Sequence, residues 1–174
     1  EMSARGCEKA ASFVKFCDAF NIPVLTLTNA AGFKATKCTE KKIAKAAAAL
    51  TAAFAEADVP KVNVVTGKAF GSAYVTMNSK GLGADIVYAW PNAQIGMMDA
   101  KMAVKVMYPE ADAKELREKA AAYAELQNSV ASAAKRGYVD TVIDAQDTRK
   151  YVIGAFEMLL TKSEDRPAKK HGTV

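Results

Sequence analysis

The sequence predicts an α/β domain with parallel strands, on three observations. Short runs rich in β-branched residues, such as Val24–Thr28, Val62–Thr66 and Val139–Ile143, are separated by longer stretches. Those stretches carry apolar residues at helical spacing. Glycine, proline, asparagine or aspartate punctuates most junctions. Strands that alternate with helices pair in parallel through right-handed crossovers, and ligands sit beyond the carboxyl ends of the strands.

The first helix spans Ser3 to Phe20, where Ala10, Phe13, Val14, Cys17 and Phe20 recur at helical spacing; Asn21 and Pro23 end it. Val24–Thr28 follows as a near-continuous apolar run, expected to be a strand buried on both faces. Asn29–Phe33 is then a loop at its carboxyl end. Thr39 caps a second helix with Glu40 in its first turn, and that helix runs to about Ala57 before Asp58 and Pro60. Val62–Thr66 is the next strand. It leads into Gly71-Ser72-Ala73 and a short helix over Ser72–Ser79, stopped by Gly81 and Gly83.

Asp85–Ala89 and Ala93–Met98 are short strands around Trp90-Pro91, and Ala100–Met107 is a short helix ended by Pro109. Asp112 caps a long polar helix to about Gln127, with Glu115 three residues on as in a capping box. Val130–Lys135 is a further helix stopped by Gly137, and Val139–Ile143 a strand. Asp147 caps the last helix, Thr148 to Leu160.

A length of 174 residues fits one domain and is enough to bury a core. The division expected is a domain over 1–162 and a charged tail over 163–174. The net charge of +5 is spread along the chain, with a small cluster at Lys169-Lys170-His171 and no basic residues interleaved with aromatics. That pattern argues against a nucleic-acid partner. Cys7, Cys17 and Cys38 form no Cys-x-x-Cys pair, and their odd number suits free thiols in a reducing cytoplasm. With His171 the single histidine, no metal is expected. The alanine-rich run Ala44–Ala55 contains Lys45 and is too short to cross a bilayer; no signal peptide is evident. A chain opening on Glu1 reads as a piece of a longer protein.

The stretch Lys68-Ala69-Phe70-Gly71-Ser72-Ala73-Tyr74 carries the chemistry. A strand runs into small residues on which a helix begins. Backbone N–H groups at a helix start lack intrahelical partners and sit at the positive end of the dipole. Small side chains let a ligand oxygen approach them, as an anion or oxyanion site requires. A tight strand-to-helix turn explains the same residues equally well. A Ser72 nucleophile would need a base and an orienting group, which His171 in the tail does not supply. Asp18, Asp85 and Asp140 read as caps, turns or structural hydrogen-bond acceptors. Met97, Met98, Met102 and Met107 read as core or subunit interface before a ligand wall. Tyr88 and Trp90 read first as buried or interface anchors. Lys68 suits a solvated lysine as well as an anion attractor.

Several motifs agree in order and spacing with one family. They are Phe16-Cys17-Asp18-Ala19-Phe20-Asn21-Ile22-Pro23, Gly32-Phe33, Val59-Pro60-Lys61, Lys68-Ala69-Phe70-Gly71, Ala73-Tyr74, Ser79–Asp85, Tyr88-Ala89-Trp90-Pro91 and Arg136–Asp140. Over nearly its whole length the chain resembles the carboxyltransferases of biotin-dependent acyl-CoA carboxylases and decarboxylases. The resemblance implies a crotonase-like ββα superhelix, here the C-terminal one of two tandem domains and lacking its first strands. It implies a biotin-facing half-site that moves a carboxyl group between biotin and the α-carbon of an acyl-CoA. Acetyl-, propionyl/methylmalonyl- and glutaconyl-CoA are the acyl groups it suggests.

By that resemblance, the N–H groups of Ser72 and Ala73 meet the ureido oxygen of biotin beside Gly71. Phe33, next to Gly32, packs on the biotin ring; Gly32, Phe33, Gly71 and Val75 are the implied substrate-binding residues, Val75 standing where the family influences acyl choice. The family usually has glycine in place of Ser72 and of Asp99, and Asp-x-Pro-Gly-Phe where this chain has Asn29-Ala30-Ala31-Gly32-Phe33. The implied partners are acyl-CoA, a biotin carrier protein or domain, the N-terminal carboxyltransferase domain of another subunit in a homo-oligomer, and a biotin carboxylase or membrane decarboxylase subunit. No protein general base is called for. The competing classes are a crotonase-like hydratase or isomerase, which should carry acidic catalytic residues and its own CoA loop, and a non-catalytic assembly module.

Overall fold

The computed structural model describes residues 1–164. His171, the Lys169-Lys170 pair and all of the expected tail beyond Glu164 lie outside the described residues. The order is α1 (Ala4–Ala19), β1 (Val24–Ala30), α2 (Lys37–Glu56), β2 (Lys61–Phe70), α3 (Gly71–Thr76), β3 (Ile86–Ala89) and β4 (Gln94–Gly96). Then come α4 (Ala100–Met107), α5 (Ala113–Tyr123), α6 (Val130–Lys135), β5 (Thr141–Val142) and α7 (Thr148–Met158). Strand–helix alternation thus produces the parallel sheet it predicts, ordered β1-β2-β3-β5, with β4 pairing β2.

β2 is the spine. Val62–Val65 pair with β3, and Lys68–Phe70 pair with β4, so one strand changes neighbours halfway along. On the β1 side the register slips between Thr28 and Ala30. Asn29 fills that irregularity, its Oδ1 accepting the Lys68 N–H at 3.0 Å. Gly67 leaves room for it, because a Cβ there would stand 2.7 Å from the same oxygen.

One face of the sheet packs against α1 and α2 through Cys7, Val14, Leu50, Phe54 and Val24. On the other face α7 covers Val62, Val64 and Tyr88 through Ala155. A third cluster joins Val65, Ala69, Tyr74, Val87, Ile95, Val130 and Val139.

Several boundaries differ from expectation. β1 alternates in burial instead of being covered on both sides: Leu25 and Leu27 are 42% and 59% exposed. Their register partners are Val62 and Val64, so they share the α7 face, which is covered at β2 but open at β1. Asn29 and Ala30 belong to β1, not to the loop, because Ala30 pairs with Ala69. Thr36 rather than Thr39 caps α2; its Oγ1 accepts the Thr39 N–H at 3.2 Å. The helix after β2 starts at Gly71 and stops at Thr76, where Asn78 takes a left-handed φ of 53°.

α5 does not run smoothly to Gln127: after Tyr123 it widens into a π turn, Ala124–Asn128. Asp112 caps α5 as expected, its Oδ1 accepting the N–H groups of Lys114 and Glu115, both at 2.8 Å. Asp147 makes no side-chain cap to α7. Thr148 at the start of that helix instead holds Trp90, whose Nε1–H donates to its Oγ1 at 2.9 Å.

The three aspartates singled out from the sequence are structural. Asp18 Oδ1 accepts the Asp58 N–H at 2.7 Å. Asp85 Oδ2 accepts the Lys61 N–H at 2.7 Å and also binds Lys162. Asp140 Oδ2 accepts from the Val87 N–H and from Lys80, both at 2.8 Å. Cys7, Cys17 and Cys38 are all unpaired, and burial pushes the Cys7 and Cys17 thiols up. Among the described residues no helix is long and apolar enough to cross a membrane.

Candidate functional site

β1 and β2 lie side by side in parallel, so their carboxyl ends deliver Gly32-Phe33 and Gly71-Ser72-Ala73 to the same edge of the sheet. Both segments line one cleft of about 370 Å³, closed on its other side by Met97, Met98 and Asp99. Five of the six site residues expected from the sequence meet there: Gly32, Phe33, Gly71, Ser72 and Ala73. Val75 does not. It lines an adjoining cleft of about 510 Å³ with Tyr74, Tyr123, Gln127, Arg136 and Tyr138. Gly71, Ser72 and Met97 border both clefts, so the turn is the ridge between them.

Each wall is held from below. Gly32 and Phe33 are pinned by Met2, whose N–H donates to Gly32 O at 2.9 Å and whose carbonyl accepts the Lys34 N–H at 2.8 Å. Gly71 has a φ of 58°, and a Cβ there would sit 3.0 Å from Met97 O. Both facts require glycine. The residue before α3, Phe70, offers no side-chain cap. The first-turn N–H groups, those of Ser72 and Ala73 among them, are therefore left for a ligand or water.

The far end of α3 is anchored by a buried polar network. Asn63 Oδ1 accepts from Thr26 at 3.0 Å and from Thr28 at 2.7 Å, and Asn78 Nδ2 donates to Thr26 Oγ1 at 3.1 Å. Thr76 Oγ1 donates to Ser72 O at 2.9 Å, which fixes the first turn from within. Ser72 itself is exposed, and its hydroxyl has no histidine or carboxylate bonded to it among the described residues. The arrangement presents backbone donors and no activated nucleophile.

Asp99 and Lys68 shape the rim. Asp99 Oδ1 caps α4 by accepting the Lys101 N–H at 3.0 Å, while its other oxygen lies 3.7 Å from Lys68 Nζ. That pair is exposed and contributes at most about 1 kcal/mol, but it sets a cation beside a carboxylate that would otherwise repel an anion. Met97 and Met102 are 73% and 60% exposed, so they are not core; with Met98 they line the cleft as soft apolar side chains.

Two features of the site escape sequence reasoning. The Met97 carbonyl against Gly71 is one. The other is Tyr74, whose hydroxyl is buried without a partner. Burial, and then the neighbouring Tyr138, push its pKa up to about 12. An unfolded tyrosine titrates near 10, so the unfolded chain sheds this proton first. The corresponding stability is present below pH 10 and is lost as pH rises from about 10 to 12. Tyr74→Phe should therefore flatten that part of the alkaline fall in Tm. At neutral pH it should be neutral or slightly stabilising, since it removes an unsatisfied hydroxyl. Paired Tm–pH curves of the two proteins check both.

With this geometry in place, comparison with known proteins is unambiguous. The chain belongs to the carboxyl transferase domain family, matched over residues 2–174. It is 48% identical over 178 aligned positions to the propionyl-CoA carboxylase beta chain of Saccharopolyspora erythraea, covering 96% of this chain and 33% of that protein. It is 40% identical to the methylmalonyl-CoA decarboxylase subunit alpha of Veillonella parvula, with 96% and 33% covered. A crystal structure of transcarboxylase 12S, with methylmalonyl-coenzyme A and methylmalonic acid bound, superposes with a TM-score of 0.94 at 43% identity. That match covers 98% of this chain and 34% of the other. The fold is thus the crotonase-like α/β fold of the carboxyltransferases. The chain spans about a third of the length of the relatives it matches.

Proposed function

We propose that this chain is the biotin-facing half of a carboxyltransferase that moves a carboxyl group between biotin and the α-carbon of an acyl-CoA. The observation that carries this reading is the single cleft shared by Gly32, Phe33, Gly71, Ser72 and Ala73. Biotin supplies a ureido nitrogen that carries the carboxyl group and a ureido oxygen that gathers charge. The Ser72 and Ala73 N–H groups are fixed in place before reaction, which makes them effective donors to that oxygen. Gly32 gives the ring close access to the backbone, and Phe33 with the methionines supplies apolar wall. Val75, in the adjoining cleft, faces the acyl side and biases the choice among acetyl-, propionyl/methylmalonyl- and glutaconyl-CoA.

The half-site needs partners. We assign it a biotin carrier protein or domain, the N-terminal carboxyltransferase domain of another subunit in a homo-oligomer, and a biotin carboxylase or membrane decarboxylase subunit, working in the cytoplasm. We place the domain at 1–162 with a charged tail after it.

The full-length parent, given free biotin and each carboxylated acyl-CoA (malonyl-, methylmalonyl- or glutaconyl-CoA), should move the carboxyl group to biotin and leave the decarboxylated acyl-CoA. Absence of exchange with all of them overturns the reading. The present chain alone should be inactive, because the donors for the thioester oxygen belong to the other half.

A further inference from the structure

We propose that Asn128 is a positioning residue for the anion-binding turn, acting through the Met97–Met98 strap. Asn128 closes the π turn at the end of α5 and is 1% exposed. Its Nδ2 donates to Met98 O at 3.1 Å, while its Oδ1 is buried without a partner. A polar side chain held with half its capacity unmet costs stability, so its placement is not explained by folding energy. Its effect is local to the site. Met98 and Met97 form the wall opposite Gly32, and the Met97 carbonyl bears on Gly71 where a Cβ would stand 3.0 Å away.

The path is short and physical. Asn128 fixes the Met98 carbonyl, the next carbonyl back limits how far Gly71 can swing, and Gly71 sets the direction of the Ser72 and Ala73 N–H groups. Phe70 pairing with Gly96 ties the two backbones in register just before both turns, so a shift of the strap reaches the turn. The widened π turn brings Asn128 to this point. π turns inside helices are frequent at functional sites, and here the distortion has a use.

The kinetic part of the test rests on the carboxyl-transfer reading, and wild-type exchange in the full-length parent checks that reading by itself. Asn128→Leu keeps the fork at Cγ, removes the donor to Met98 and also removes the unsatisfied oxygen. It should leave Tm within a few degrees of wild type. It should raise KM for free biotin at least tenfold while KM for the acyl-CoA stays within twofold. Hydrogen exchange at Val75–Met77 should quicken at least threefold, a readout that needs no activity. Asn128→Ser, too short to reach Met98, should behave alike and serves if the leucine variant does not fold. Unchanged biotin KM and unchanged exchange in a folded variant overturn the proposal. So does an equal rise in both KM values, which would mark general loosening.

Discussion

Ser72→Pro in the full-length parent should lower kcat/KM for biotin by roughly 100- to 1,000-fold, the usual cost of losing one preorganised oxyanion donor. The substitution is chosen for what it spares. Ser72 is the second residue of α3, where its N–H has no intrahelical acceptor, so proline deletes a donor without breaking a helix bond. The residue before it, Gly71, has no Cβ, which removes one of the two clashes that a following proline imposes on its predecessor. The side chain is exposed, which leaves room for the ring.

Ser72→Gly is the matching control. It keeps the N–H, deletes the hydroxymethyl side chain and gives the glycine that the family resemblance implies at this position. Activity within about threefold of wild type is expected, from loss of a group that makes no bond to a base. If the proline variant is folded and as active as wild type, the backbone-donor reading fails and a purely architectural turn remains. If the glycine variant is dead, the hydroxyl matters and the site works by other means. Steady-state exchange kinetics with circular dichroism on each variant decide between these.

Much of the cleft was legible because its two best segments follow strands directly. The Val24–Thr28 and Val62–Thr66 runs announce parallel neighbours, and the small residues after each mark where chain and ligand approach. The family motifs then attach a chemistry to those loops. The opposite wall was not legible. Met97 and Met98 follow a three-residue strand, and their exposure depends on which part of β2 that strand pairs with. Asn128 next to Ser129 reads locally as an ordinary helix junction; Ser129 does cap α6, its Oγ accepting the Ser132 N–H at 3.2 Å. Only the tertiary path of the π turn buries Asn128 against Met98.

The errors have a common cause. Thr36 and Thr39 are both good caps, and the one that wins is decided by where the chain leaves Lys34, which is tied to Met2. The alternation in β1 was hidden because Leu25 and Leu27 are apolar on a face that nothing covers among the described residues. Apolar content there predicts burial, and the burial is absent because α7 reaches only β2 and β3.

Lys61→Met should destabilise the domain by about 2–4 kcal/mol, the cost of leaving two buried carbonyls without their charged donor. Lys61 is 1% exposed. A residue of this type is almost never so buried without partners, and nothing in the motif Val59-Pro60-Lys61 discloses it. Its Nζ donates to Phe54 O at 2.8 Å and to Ala57 O at 2.9 Å. Those carbonyls close α2, which has no basic residue in its own last turn. The strand that follows thus supplies the cation to the negative end of the helix dipole. Replacing a buried ion pair by apolar groups on both sides can be neutral, but backbone carbonyls cannot be replaced, so here the loss is one-sided. The same residue sits where three strands converge: its N–H donates to Asp85 Oδ2 at 2.7 Å, its carbonyl accepts the Asp85 N–H at 2.9 Å, and it registers with Val24. Urea unfolding should show the midpoint fall with little change in m, and Tm should drop by about 5–15 °C. Lys61 lies at the opposite end of β2 from the Gly71 turn, so activity per folded molecule well below the transition should match wild type. A methionine variant within about 0.5 kcal/mol of wild type would show that water or a local shift satisfies those carbonyls, and a folded variant that loses biotin turnover would show that β2 transmits strain along its whole length.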